Sequence, residues 1–333
     1  MNQSARSTSI LNPTRLSDPT REEENRKKRL MLILSKGLPT LPGYLLDLNA
    51  LLTSASVDLK KVGKVIRTDP SLTAQVLRLC NSAMFGLRRR VVSIEQASVL
   101  IGTERLRTLV LTCSVMQFAG ERLPANLRTI FWQHSFLAAL LSERIADQME
   151  YAEKEQAYLG GLLHDIGQLP LWMLVTEELG KGRTGPPEGW ADNQELERQY
   201  FGMDHGKVGR CMGVSWNFMP SFMDVFEHHH DPENAQHDPY LVGIVSAADQ
   251  FLMSQSVEER PEGPADTETS ATSVKPQVPA GEAGKGVSFL ARCLPNVAEN
   301  EQQAILEMLH TEYIHVLPLV QLGLAAVSAE KAE

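Results

Sequence analysis

Residues 159–169 read Leu-Gly-Gly-Leu-Leu-His-Asp-Ile-Gly-Gln-Leu, and this stretch makes a demand that the rest of the chain must meet. His164 and Asp165 sit inside an otherwise apolar run with glycines on both sides. A buried ionisable pair is costly unless it is paired, hydrogen-bonded or bound to a metal. Partners are spaced along the chain: His134 upstream in an amphipathic stretch, then His205, His228, His229 and Asp249 downstream. Five of the nine histidines fall in this series. Imidazole and carboxylate together are the ligand set of hard-to-borderline divalent ions such as Mn, Fe, Mg or Zn.

The same residues admit plainer readings, which stay open at this point. His164 and Asp165 also suit a hydrogen-bonded pair kept for packing, and Asp249 a satisfied core carboxylate. His228 and His230, each taken alone, read best as a solvated helix end, where the negative pole of the helix favours imidazolium. His229 shares a face with Phe222, Val225 and Phe226, so it points inwards and is the better ligand candidate.

Composition narrows the class. At 333 residues the chain can bury a sizeable core in one or two domains. A net charge of −9 gives no support for general nucleic-acid or anionic-membrane attraction. The cysteines, Cys80, Cys113, Cys211 and Cys293, lie far apart and form no CxxC pair, which argues against a disulfide framework or a Cys-rich zinc site. Leu30–Leu34 is too short to span a bilayer, and the apolar run near 313–327 is broken by His315, Pro318 and Gln321. No signal peptide is evident, so a cytoplasmic location is expected, without membrane insertion.

Helical periodicity dominates throughout, and the expected fold class is all-α: a multi-helix bundle with a helical C-terminal tail. Arg21–Lys36 suits a helix ending at Gly37, followed by an extended Leu38-Pro-Thr-Leu-Pro42 entry. Leu45, Leu48, Leu51 and Leu52, then Leu59, Val62, Val65 and Ile66, repeat at helix spacing. Asp69-Pro70 reads as a cap and first residue of a helix to Cys80, and Ser93 as the cap of Ile94–Ile101. Gly102 breaks that helix, and Thr103 is expected to cap the next. Gly180–Trp190 reads as a loop, and Pro220 starts a helix. Residues 256–286 are rich in Pro, Gly, Ala, Ser, Thr and Glu, a composition that cannot offset its ordering entropy. The resulting domain map is a disordered tail at 1–27, a main domain at 28–255 divided near 125/126, a linker at 256–286 and a packing C-terminal helical segment at 287–333.

Several short motifs now combine. Leu38-Pro-Thr-Leu-Pro42, Asp69-Pro70-Ser-Leu72, Leu79-Cys-Asn-Ser-Ala83, Phe85-Gly86, Ser93-Ile-Glu-Gln-Ala97, Trp132-Gln-His-Ser135, Gly161-Leu-Leu-His-Asp-Ile-Gly167, Asp204-His205 and His228-His-His-Asp-Pro232 follow in order. Together they resemble the HDOD domain of bacterial signalling proteins, over roughly residues 30–255. The resemblance implies an all-helical variant of the HD metallohydrolase superfamily, in which histidines and aspartates from several helices converge on one or two metal ions. Carried over by that resemblance, the metal ligands would be His134, His164, Asp165, His205, His228, His229 and Asp249, with no organic cofactor. An aspartate beside a histidine on one helix can bridge two metals, which generate hydroxide for attack on a phosphate ester.

Two departures point away from catalysis. Gln168 stands where related cyclic-di-GMP phosphodiesterases commonly carry lysine, and their Gly-Tyr-Pro segment after the double histidine is replaced by Asp231-Pro232-Glu233-Asn234. Arg88-Arg89-Arg90 reads as a solvated face. The expected role is therefore regulatory: protein–protein contacts with signalling partners, a retained divalent-metal site, a nucleotide as a conceivable ligand and no catalytic residue assigned. The alternative is a metal-dependent phosphohydrolase acting on a nucleotide or cyclic dinucleotide.

Overall fold

Proline and short polar residues decide where the helices begin. In this computed structural model, which describes residues 19–34, 69–119, 123–179, 193–258 and 289–329, every regular element is helical. α1 spans Pro19–Leu32 and α2 Pro70–Cys80; Asp69 Oδ1 caps α2 by accepting from the Leu72 N–H at 3.0 Å. α2 stops at Asn81, whose amide donates to the Leu77 carbonyl and pairs reciprocally with the backbone of Val91. A 3₁₀ turn, Ala83–Phe85, ends at Gly86 in the left-handed region. α3 is Ile94–Ile101, capped by Ser93 as its sequence predicts. α4 is Thr103–Ala119; Thr103 is its first residue rather than its cap, and Gly102 supplies the first accepting carbonyl.

The second half is longer-limbed. α5 (Ala125–Gln148) is the spine, with α6 (Lys154–Leu163), α11 (Pro239–Glu258) and α12 (Glu299–Ala329) packed along it. α7 (Gln168–Leu179) and α8 (Gln194–Phe201) follow α6. α9 (His205–Ser215) and α10 (Pro220–His228) pack on each other, and α10 lies against α11. α12 also reaches the 3₁₀ turn and α2, so it joins both halves. No helix among the described residues is long and apolar enough to cross a membrane.

One boundary needs correction. α1 begins at Pro19, so residues 19–27, assigned above to a disordered tail, are helical. Proline suits the first turn, where no N–H partner is required. The Arg26 guanidinium holds the helix down: its Nε donates to the Tyr200 carbonyl at 2.9 Å and it lies 3.9 Å over the Tyr200 ring. α11 likewise runs to Glu258, slightly into the expected linker. Residues 1–18, the Gly37 cap, the Leu38–Pro42 entry, the helices expected within 44–66, the 180–190 loop and the linker at 259–286 lie outside the described residues.

Two glycines let the helices approach closely around His164 and Asp165. A Cβ at Gly161 would lie 2.6 Å from the Ala138 carbonyl oxygen and from Ser142 Oγ, so its absence lets α6 press against α5. A Cβ at Gly167 would come within 1.9 Å of the His205 carbonyl oxygen. The start of α9 can therefore sit directly on the turn after His164-Asp165.

Candidate metal centre

His164 is the residue at which α6 ends, and Asp165 succeeds it in the tight turn before α7. Both are buried, and around them gather His134 from α5, His205 from the first position of α9, His229 and His230 just past the end of α10, and Asp249 from α11. The side chains form two lobes that share Asp165, and His229 of the second also lies within reach of His164 and Asp249 of the first. In the first, His134 Nε2 and His164 Nε2 are 3.2 Å apart, and Asp249 Oδ1 lies 3.1 and 3.5 Å from them. Asp165 Oδ2 lies 3.4 Å from His164 Nε2 and 3.7 Å from His134 Nε2. In the second, Asp165 Oδ1 is 3.4 Å from His205 Nε2 and 3.3 Å from His229 Nε2. His205 Nε2 is in turn 3.3 Å from His229 Nε2 and 2.9 Å from His230 Nε2.

Most of these spacings fit atoms that share an ion. Ligands about 2.1 Å from one metal lie roughly 3.0–3.4 Å from each other at octahedral to tetrahedral angles. Hydrogen bonding among the rings leaves the carboxylates at the centre only partly satisfied. Asp165 Oδ1 and both oxygens of Asp249 are buried without a hydrogen-bond partner, although imidazole nitrogens stand 3.1–3.9 Å from them. The tautomers sharpen the point. His164 Nδ1 donates to the Gly161 carbonyl at 2.7 Å, and His229 Nδ1 to the Val225 and Phe226 carbonyls at 3.0 and 3.1 Å. His205 Nδ1 donates to Glu197 Oε2 at 2.7 Å. With the Nδ1 protons of these three rings committed outwards, Nε2 of each is the atom turned inwards, and it can ligate an ion once deprotonated. Inward-facing ring nitrogens 3.3 Å apart must share either a proton or a metal ion. The all-N/O donor set suits a hard-to-borderline divalent ion.

The carboxylates and imidazoles also act on one another's charge. Burial disfavours charge on Asp165, yet His164, His229 and His205 hold its pKa well below the ordinary carboxylate range. Burial also opposes charge on Asp249, and His134 and His164 overcome it in the same way. Burial works against protonation of His164, but the carboxylates of Asp165 and Asp249 raise its pKa well above that of free imidazole. His134 is raised likewise, chiefly by Asp249 against the burial. His230 goes the other way: burial, reinforced by His229 and His205, pushes its pKa down to about 2.

Six of the seven residues expected as ligands, His134, His164, Asp165, His205, His229 and Asp249, come together in space. The seventh does not. His228 is the last residue of α10 and lies 3.8 Å from Glu227 Oε2, outside every group of side chains among the described residues that could hold an ion. His230 takes that place instead. The chain leaves the helix after His228, and the next residues swing the His230 ring inwards, which helical periodicity cannot foretell. Glu197 is a further functional residue that the sequence does not single out. It is fully buried in α8, and Oε2 accepts both the ring proton and the backbone N–H of His205, the latter at 2.8 Å. Gln168, which stands in place of a lysine, is buried and donates to Asp165 Oδ2 at 2.9 Å, so it orients the carboxylate. Arg88, Arg89 and Arg90 are exposed, in keeping with a solvated face.

Known proteins give this architecture its place. An uncharacterized protein of Treponema pallidum is 25% identical over 228 residues, 65% of this chain, and the matched region spans only 42% of that relative's length. A Shewanella amazonensis protein named as a candidate phosphohydrolase superposes with a TM-score of 0.62 at 21% identity, covering 88% of this chain and 98% of its own. A Marinobacter aquaeolei protein named as a candidate signal transduction protein gives 0.63 at 15% identity, covering 92% of this chain and 66% of its own. At these identities the two structures speak for the fold alone. The HDOD domain model matches residues 38–232, more than half of the sequence, and with the motif order and the helical bundle described above it makes this chain a member of the HDOD domain family.

Proposed function

We propose that this protein is a metal-loaded HDOD module of signal transduction, which holds two divalent ions and acts mainly by contact with partner proteins. The observation that carries the metal half of this reading is the trio of buried carboxylate oxygens on Asp165 and Asp249 that lack a hydrogen bond, ringed by imidazole nitrogens at ligand spacing. His134, His164, Asp165 and Asp249 would hold one ion, and Asp165, His205, His229 and His230 the other. Bound there, the ions supply positive charge that neutralises the carboxylates and, where a coordination position is open, a water of lowered pKa. The regulatory half rests on Gln168, which offers no positive charge to a phosphate and is already engaged with Asp165.

Hydrolysis is the second reading, and one observation favours it. His134 and His230 are 25% and 17% exposed, so each lobe has an edge toward solvent where a phosphate ester could enter. The test separates the two readings. Protein purified without chelator and reloaded with Mn²⁺, Fe²⁺ or Zn²⁺ is expected to bind metal stoichiometrically and to show negligible turnover of cyclic dinucleotides or nucleotide esters. Robust metal-dependent turnover, abolished by Asp165→Ala in a protein that still folds, would establish the phosphohydrolase instead. Absence of bound metal under all loading conditions would remove both.

A further inference from the structure

We infer that Arg292 is a positioning residue for the second lobe, clasping the C-terminal segment onto the backbone of His230; this rests on the metal reading above. His230 is the ligand with the least support from its own element, since α10 ends at His228. Its carbonyl lies beyond the helical ladder and needs a partner. Arg292 provides it: Nη2 donates to the His230 carbonyl at 2.7 Å, and also faces Asp231 Oδ1 at 3.1 Å and Glu233 Oε1 at 3.4 Å. One guanidinium thus gathers the whole loop beyond the triple histidine.

A half-exposed arginine alone would do little, because surface ion pairs are worth little and are screened by salt. What gives this one leverage is the rigidity of its own base. Leu290, Cys293 and Leu294 are buried beside it, and the Cys293 carbonyl passes so close to Gly243 that a Cβ there would lie 2.2 Å away. Cys293 Sγ rests 3.2 Å from Ser246 Oγ, and Gln302 Nε2 donates to the carbonyls of Leu294 and Val297. Gly243 and Ser246 lie on α11 ahead of Asp249. The segment is therefore seated on the helix that carries one ligand while Arg292 restrains the loop that carries another. Anything that lifts the segment, such as a partner protein competing for it, would loosen His230 and release the second ion first.

The test uses the full chain and Mn²⁺ alone. Wild type is expected to bind two equivalents with the exchange-coupled electron paramagnetic resonance spectrum of carboxylate-bridged ions. Arg292→Ala should bind the second equivalent about tenfold more weakly, within the range typical of lost support around a metal ligand, and give an isolated-ion spectrum at limiting metal. Thermal unfolding of the metal-free protein should be unchanged, and Arg292→Lys should recover part of the loss. Arg292→Gln serves the same comparison if the alanine variant does not fold. Unchanged affinity for the second equivalent would overturn the clasp while leaving the metal reading intact. Equal loss of both equivalents with a lowered unfolding temperature would overturn it too, as a merely structural effect. A wild type that binds no Mn²⁺ would defeat the metal reading itself.

Discussion

The two lobes of the centre share Asp165 but are built from different material. The first draws His134 from the 24-residue spine α5, His164 from the end of α6 and Asp249 from the interior of the 20-residue α11, all packed against one another. The second draws His205 from the first position of α9, and His229 and His230 from the chain just beyond α10. Helix ends fray where helix interiors do not. The second lobe accordingly needs outside fasteners, and it has three: Glu197 on the His205 ring, the missing side chain of Gly167 beneath the His205 carbonyl, and Arg292 on the His230 loop. One site is held by packing and the other by clamps.

The largest expected effect erases the comparison. Asp165→Ala removes the carboxylate whose two oxygens face the two lobes, and elemental analysis should show both equivalents lost; a variant that kept either ion would mean the lobes do not share this carboxylate. Gly167→Ala comes next. Its Cβ would meet backbone on α9, at the His205 carbonyl and at the Gly209 nitrogen 2.6 Å away, so no side-chain rotation relieves it. Overpacking of this kind costs about 1–3 kcal/mol. The second equivalent should be lost and the first kept, with unfolding midpoints measured beside metal content. Retention of both would show that His205 is placed by something other than this close approach.

Glu197→Gln should be milder. The amide oxygen can still accept from the ring and the backbone N–H of His205, but without the negative charge both bonds weaken. Affinity for the second equivalent is expected to fall roughly 10-fold, at the lower end of what such partners contribute. Titration against a competing chelator reads it directly, and the first equivalent is the internal control.

The smallest effect concerns the order in which the ions leave. Metal binding needs deprotonated imidazoles. His134 and His164 have raised pKa values and take up protons as the pH falls, whereas His230, at about 2, does not. Between about pH 8 and about pH 6, the range where imidazole protonation matters, affinity should therefore fall more steeply in the first lobe. A chelator at about pH 8 should instead strip the second lobe first, because its supports open more readily. Mn²⁺ spectra recorded under both regimes should show opposite orders. Identical orders would mean that proton competition and local opening do not divide between the lobes in this way.

How much of the molecule is legible in its sequence depends on the kind of signal. The helices of the bundle come from apolar spacing and from local caps: Asp69-Pro70 and Ser93 act through bonds to residues three positions away, so their reading needs no tertiary knowledge. His164-Asp165 announces itself because two ionisable groups in an apolar run must be compensated wherever they fold. His229 is marked by its apolar face. Other features obey no local rule. His228 and His230 flank His229 and are of the same residue type, and which of them turns inwards depends on where α10 ends and how the Arg292 clasp draws the loop beyond it. Glu197 stands two residues from Glu195 in the first turn of α8, and only the packing of α8 beside His205 distinguishes the buried carboxylate from the exposed one.

The sequence by itself determined the all-helical class, the caps, the family and a set of groups able to bind metal, since these depend on composition, spacing and short-range bonds. Only the tertiary structure decided the partition into two lobes, the exchange of His228 for His230 and the supports of Glu197, Gly167 and Arg292. Those rest on contacts between different elements, among them an approach at Gly167 so close that a single methyl group would be too large.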